Sequence, residues 1–253
     1  MAKMTVSNRL ERLFSYAAAL QQNGRLKNTV YCYRSYVYIV NQDHTVMLRF
    51  TLKEGEASFD KPFSFHANDY DSQKIIIEDG FITFVQNNDK YVRAKQCRSP
   101  ETTPQHIHKN FQAIRKEAST TCAIRIGKSI IPLLDESLSH IEFEGKDEIL
   151  IVTQRNVFSG TVSTIKENGL EKACLGVTPK VTNFGPIAVR TKDFLAIYEE
   201  NAAGPIFKFG DNKIVKVKVD NGLFKFDGLL AQCKYDELGG SLTEKEKNSG
   251  RKK

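Results

Sequence analysis

A chain of 253 residues, 40% hydrophobic and 26% charged, has the balance of a folded globular protein and enough length to bury one large core or two modest ones. Its 37 Lys and Arg against 30 Asp and Glu give a formal charge of +7, so an anionic partner, nucleic acid first, is the natural expectation. No apolar run reaches membrane-spanning length, the N-terminal stretch carries charges through its apolar positions, and five scattered cysteines without C-x-x-C spacing read as free thiols of a cytoplasmic protein.

The first element is an amphipathic helix over 8–22. Leu10, Leu13, Phe14 and Ala17 share one face, Ser7 serves as N-cap, and Gly24 closes the helix. Three strands follow, "TVYCYR", "VYIVNQ" and "TVMLRFTL", with a turn over Asn41 to His44. "ASFDKPFSFHA" comes next, then the polar turn "NDYDSQ" and the strands "KIIIED", "FITFVQ" and "KYVRAKQCR". Asp79-Gly80 and Asn87-Asn88-Asp89 supply hairpin turns between these last three.

"SPETTPQ", residues 99–105, has two prolines and no apolar residue, and reads as an extended linker. The pattern then restarts. A second helix, "IHKNFQAIRKEAS", aligns Ile107, Phe111, Ile114 and Ala118. Strand-like runs "CAIRIG", "HIEFEG", "EILIVTQ" and "VFSGTVSTI" follow, and after "KVTNFGPIAVR" a third helix, "TKDFLAIYEENA", turns Phe194, Ile197 and Tyr198 inward. Three more strands, "PIFKFG", "KIVKVKV" and "LFKFDGLLAQCKY", end the fold. Residues 239–253 lack apolar periodicity and read as a disordered tail, with five cations against two carboxylates in the last ten positions. Each half is helix then strands, crossover then strands. The expected class is α+β, with two similar domains of antiparallel sheet (1–98 and 106–238) and helices on one face.

Enzyme motifs fail on spacing. Gly127-Lys128-Ser129 lacks the glycine a phosphate loop needs five residues earlier, where Cys122 stands. His106 and His108 have no further ligand at metal-binding distance in sequence, and a surface pair is the cheaper reading. Neither G-x-S-x-G nor H-E-x-x-H occurs. The expectation is a protein that catalyses nothing and needs no cofactor.

The order of elements over residues 5–238 resembles the DNA sliding clamps, the ring-shaped processivity factors of replicative polymerases. The closest stretch is 187–235, "IAVRTKDFLAIYEENAAGPIFKFGDNKIVKVKVDNGLFKFDGLLAQCKY", which looks like the last repeat of a two-domain clamp with its helix opening at Phe194-Leu195. A departure is the first half's crossover, where "ANDYDSQ" stands in place of a helix; a divergent bacteriophage member would suit it.

The resemblance implies a DNA-clamp fold whose helices line a hole around double-stranded DNA. The residues it assigns to phosphate contact are Arg9 and Arg12 on the first helix and Lys109, Gln112, Arg115 and Lys116 on the second, with Lys192 on the third. A solvated helix face is the bland alternative. Lys216 and Lys218, alternating with Val215, Val217 and Val219, would point away from the helices. A replicative polymerase would dock beside the linker, near Leu229, Leu230 and Tyr235, with core packing as the competing reading for the leucines. Copies would join through edge strands 90–98 and 157–165 into a homo-oligomer, a trimer first. The competing functional class is a non-ring double-stranded DNA-binding accessory protein of phage replication or transcription. A β-rich virion component is a weaker third.

Overall fold

The computed structural model describes residues 2–5, 7–22, 28–52, 59–67, 74–78, 80–85, 91–97, 102–147, 149–155, 162–164, 181–198, 204–210, 214–220 and 225–233. The first half runs β1 (Ala2–Thr5), α1 (Asn8–Gln22), β2 (Asn28–Arg34), β3 (Tyr36–Asn41), β4 (Val46–Thr51), β5 (Phe59–His66), β6 (Lys74–Ile77), β7 (Phe81–Val85) and β8 (Tyr91–Lys95). Helix α2 (Pro104–Glu117) stands between the halves. The second half runs β9 (Cys122–Arg125), a 3-10 helix (Lys128–Leu133), β10 (His140–Lys146), β11 (Ile149–Arg155), β12 (Val162–Thr164), β13 (Phe184–Arg190), α3 (Thr191–Ala196), β14 (Ile206–Phe209), β15 (Ile214–Asp220) and β16 (Lys225–Ala231). All strand pairs among the described residues are antiparallel. The fold is α+β, as the hairpin-rich sequence implies.

The described strands form three sheets, ordered β1-β6-β7-β8, β12-β11-β10-β13 and β5-β2-β3-β4-β16-β15-β14-β9. The eight-stranded sheet divides at β4–β16 into two sets of four, and the duplication is then explicit. Numbered within its half, each half has one set in the order first-sixth-seventh-eighth and another in the order fifth-second-third-fourth. The halves meet where the fourth strand of the first, β4, pairs with the eighth strand of the second, β16, in register from Phe226↔Phe50 to Leu230↔Val46. Side-chain ties reinforce the seam: Arg190 to Asp43 at 2.6 Å, and Thr45 donating to Asp193 at 2.8 Å.

At β2 to β4 and β16 both faces of the eight-stranded sheet are covered, which explains why β4 is buried from Val46 through Phe50 without alternation. On one face Val30, Cys32, Leu48, Phe50, Val215, Val217 and Leu230 join α1 in the main core, together with Phe194 and Tyr198 from α3 and the turn after it. α1 starts as expected, with the Ser7 hydroxyl accepting from the Leu10 amide at 3.3 Å. It meets α3 where the Tyr16 hydroxyl donates to the Ala196 carbonyl at 3.1 Å. On the other face Tyr31, Tyr38, Val40, Met47 and Leu229 form a second cluster with Ile107 and Phe111 of α2. The period-two geometry of strands sends these side chains the opposite way from their neighbours, so α1 and α2 lie on opposite faces of one sheet.

That placement departs from a fold with every helix on one face. It also changes the repeat: the element between the first and second strands of the second half is the 3-10 helix Lys128–Leu133, interrupted by Pro132, which cannot donate within a longer helix. α2 begins at Pro104, three residues before the expected start and inside the expected linker, because Thr103 caps it by accepting from the His106 amide at 3.2 Å. Three described elements carried no clear sequence signal: β1, the 3-10 helix and the continuous sheet across the halves. Cys32, Cys122 and Cys233 are buried free thiols, and Cys97 is half-buried. The expected tail, 239–253, lies outside the described residues.

Candidate nucleic-acid interface

The α1 and α3 side of the molecule is the candidate surface. α1 buries Leu10, Leu13, Phe14, Tyr16 and Ala17, and this leaves Arg12 and Ser15 exposed and Arg9 half-buried on the opposite stripe. On α3, Phe194, Leu195 and Ala196 are buried and Lys192 is exposed. The 3-10 helix buries Ile130 in the same core and exposes Lys128, the lysine of the incomplete phosphate-loop motif. Arg12, Lys128 and Lys192 thus belong to three short elements packed on one core.

Beside them, Asp193 is buried, with one carboxylate oxygen held by Thr45 and the other without a hydrogen-bond partner. Burial raises its pKa, against the lowering influence of the Thr45 hydrogen bond, Arg190 and Lys192. The Arg190 guanidinium in turn holds the Asp43 carboxyl below its usual range through the hydrogen bond between them. Among the described residues of this edge, Asp193 is buried and Asp43 is paired, with Arg190 and Lys192 beside them.

The other residues expected at the nucleic acid stand elsewhere. Lys109, Arg115 and Lys116 are exposed and Gln112 is half-buried, all on α2 and therefore across the sheet from Arg12 and Lys192. The apolar stripe of α2 was legible, but a stripe does not tell which side of a sheet it covers. Lys216 and Lys218 do point away from α1, since Val215, Val217 and Val219 fill the main core; they face the α2 side, where the Lys216 ammonium donates to the Ala118 carbonyl at 2.6 Å.

The expected polymerase pocket is also corrected. Leu229 is covered by α2 and Leu230 lies in the main core on the opposite face, so the two cannot share one pocket. Tyr235 lies outside the described residues. Among the described strands both expected edges end their sheets: β8 ends the sheet β1-β6-β7-β8 and β12 ends the sheet β12-β11-β10-β13. On the first of these, Tyr91 is 72% and Val92 36% exposed. Among the described residues no group of His, Cys, Asp and Glu could hold a metal ion, and no helix is long and apolar enough to cross a membrane.

No family model and no curated protein matches the chain. Solved structures do. The PCNA2–PCNA3 complex from Sulfolobus tokodaii matches with a TM-score of 0.55 at 8% identity, over 91% of this chain and 99% of that one. The DNA polymerase III β chain from Streptococcus pneumoniae matches with a TM-score of 0.59 at 10% identity, over 92% of this chain and 65% of that one. The A. fulgidus PCNA, solved with the C-terminal region of FEN-1 bound to it, matches at 14% identity with a TM-score of 0.51, over 92% of this chain and 99% of that one. The duplicated antiparallel sheets and the few helices packed on them are the fold of the DNA clamps, shared here at identities of 14% or less.

Proposed function

We propose that the protein is a sliding clamp: a non-enzymatic processivity factor whose copies join head to tail into a ring around double-stranded DNA and tether a replicative polymerase. The halves act as its two domains, the first ending near residue 98, with α2 as the connector. The observation that carries the reading is the seam between the halves. There a fourth strand, β4, pairs with an eighth, β16, while the remaining fourth and eighth strands, β12 and β8, are left as sheet edges. A β8–β12 contact between copies would repeat the internal seam, and successive contacts of that kind close a ring when the rotation permits, with three copies giving six halves.

In this ring α1, α3 and the 3-10 helix face the hole. Arg9, Arg12, Lys128 and Lys192 meet phosphates there without reading bases, as a protein that slides requires. Lys109, Gln112, Arg115 and Lys116 lie on the outer wall.

Mass photometry and DNA retention test the reading together. The expected species has about three times the 28.6 kDa of one chain. Once loaded on nicked circular DNA it stays through a high-salt wash, and it is lost when the circle is cut. A monomer that leaves circular and linear DNA equally as salt rises would instead favour an open accessory protein held by charge.

A further inference from the structure

The outer face holds a feature that ring formation and DNA contact do not use. We propose that the groove between the C-terminal turn of α2 and strands β14–β16 is a docking site for an extended acidic segment of a partner protein. The cavity measures about 280 Å³; Arg115 and Lys116 of α2 form one wall, and Lys208, Lys216 and Lys218 line the sheet side. Among the described residues a single carboxylate, Asp227, lines it, and that group is already engaged, 2.5 Å from Arg49 and 3.6 Å from Arg115. Among the described residues no carboxylate pairs with Lys116, Lys208 or Lys218.

The arrangement works against the fold's own stability. Lys208 stands directly opposite Lys216 in the β14–β15 register, a cross-strand like-charge pair, and such pairs are destabilising. Lys216 is half-buried, and desolvation, then Lys208 and Arg115, holds its ammonium below the usual lysine range. Its hydrogen bond to the Ala118 carbonyl partners the ammonium but brings no counter-charge. An anion laid between the two strands would relieve the repulsion of all three cations at once.

Shape and lining select the anion. A cavity of this volume takes one extended chain and not a duplex, whose major groove alone is about 12 Å wide. Among the described residues no aromatic side chain lines it, so single-stranded nucleic acid would find no platform on which to stack bases. Leu229, on the α2 face of the sheet, instead supplies an apolar edge beside the cations, while the Val217 side chain is turned into the main core. Acidic residues interspersed with aliphatic ones fit that mixture, with the acidic groups met by an Arg and Lys cluster. The proposal stands apart from the ring reading, because the groove is complete within one chain.

Fluorescence anisotropy with a labelled, end-capped octapeptide of alternating glutamate and leucine tests it, with an eight-nucleotide oligothymidylate as the comparison probe. Binding of the peptide to the wild-type chain should saturate, and Lys208→Ser with Lys218→Ser should weaken it about tenfold. The matched charge control, Lys61→Ser with Lys146→Ser, removes exposed lysines of β5 and β10 and should leave affinity within about twofold. Three results overturn the proposal: no saturable peptide binding, equal weakening in both double variants, or oligothymidylate outcompeting the peptide for the groove. Unfolding curves matching the wild type exclude misfolding as the cause of any loss.

Discussion

Arg49 shows how much one side chain carries at the seam. It is 6% exposed, stands opposite Asp227 in the β4–β16 register, and lies 4.8 Å from the ring centre of Phe111 and 5.3 Å from that of Tyr36. One cation thus joins both halves and α2. Asp227→Asn leaves this guanidinium buried without its counter-charge and should cost about 3–5 kcal/mol. Arg49→Met keeps apolar contact with Phe111, and its cost should stay under about 1.5 kcal/mol, since replacing a buried charge by a hydrophobe is often near neutral. Equal costs in denaturant titrations would mean that the ionic attraction itself, not the unpaired buried charge, sets the stability. His108 gives a pH dependence at the same scale. Its Nδ1 is 2.6 Å from the Tyr38 hydroxyl, and burial, then Arg34 and Arg49, holds its pKa below the ordinary 6.5. Burial also pushes the Tyr38 phenol well above its ordinary range, so the phenol keeps its proton and shares this hydrogen bond with a neutral imidazole. A base with a depressed folded pKa leaves the unfolded chain binding more protons, so its stabilising contribution is complete above pH 6.5 and falls as pH drops from there to the folded pKa. Thermal unfolding from about pH 8 to pH 5 should show this decline, and His108→Gln should flatten it. An identical pH profile in the variant would remove His108 from the account.

Elements were legible where one physical signal sufficed. α1 has the expected bounds because Ser7 caps it and its stripe is strictly periodic. The place of β8 and β12 in the repeat marks them as edges, and each ends its sheet among the described strands. α2 shows the limit: its stripe was clear, yet β2 to β4 carry apolar side chains on both faces, so either face offered a partner. The buried run Val46 to Phe50 was the available clue, since unbroken burial means cover on both sides. Leu229 and Leu230 repeat the lesson, adjacent in sequence and on opposite faces of the sheet. Gly210 shows what proximity in sequence cannot reveal, because a Cβ there would come within 2.8 Å of the Ser119 backbone just beyond α2. The division of helices predicts two charge effects. Arg12→Gln with Lys192→Gln should reduce the slope of log affinity for duplex DNA against log salt by about 0.9 for each phosphate no longer neutralised. Lys109→Gln with Lys116→Gln should leave that slope unchanged. The reverse pattern would place DNA on the α2 face.

At the scale of the whole molecule, the seam is the place where the described strands of the two halves share a ladder, and it determines what the free edges can do. In β8, Val92 stands opposite Phe84 and Ala94 opposite Ile82, so these two side chains point toward the main core. Ala94 packs against that core, whereas Val92 remains 36% exposed. The same face of β16 is finished by β4: Phe226 and Leu230, opposite Phe50 and Val46, are both buried. The apolar layer is therefore complete at the internal seam and incomplete at β8. Arg93 partly screens this edge, its guanidinium 4.1 Å from the Phe81 ring centre and 3.3 Å from Glu78, a charge of the kind that protects an edge strand from aggregating. A neighbouring β12 would finish the layer and supply ladder hydrogen bonds to β8. Val92→Asp tests this, with unfolding curves to show that the variant stays folded, because the side chain is only partly exposed. Sedimentation at micromolar concentration should show the wild type as a closed oligomer and the variant as a folded monomer. An unchanged oligomer in the variant would move the contact to another surface, and a wild-type monomer would leave β8 a protected edge with no ring to close.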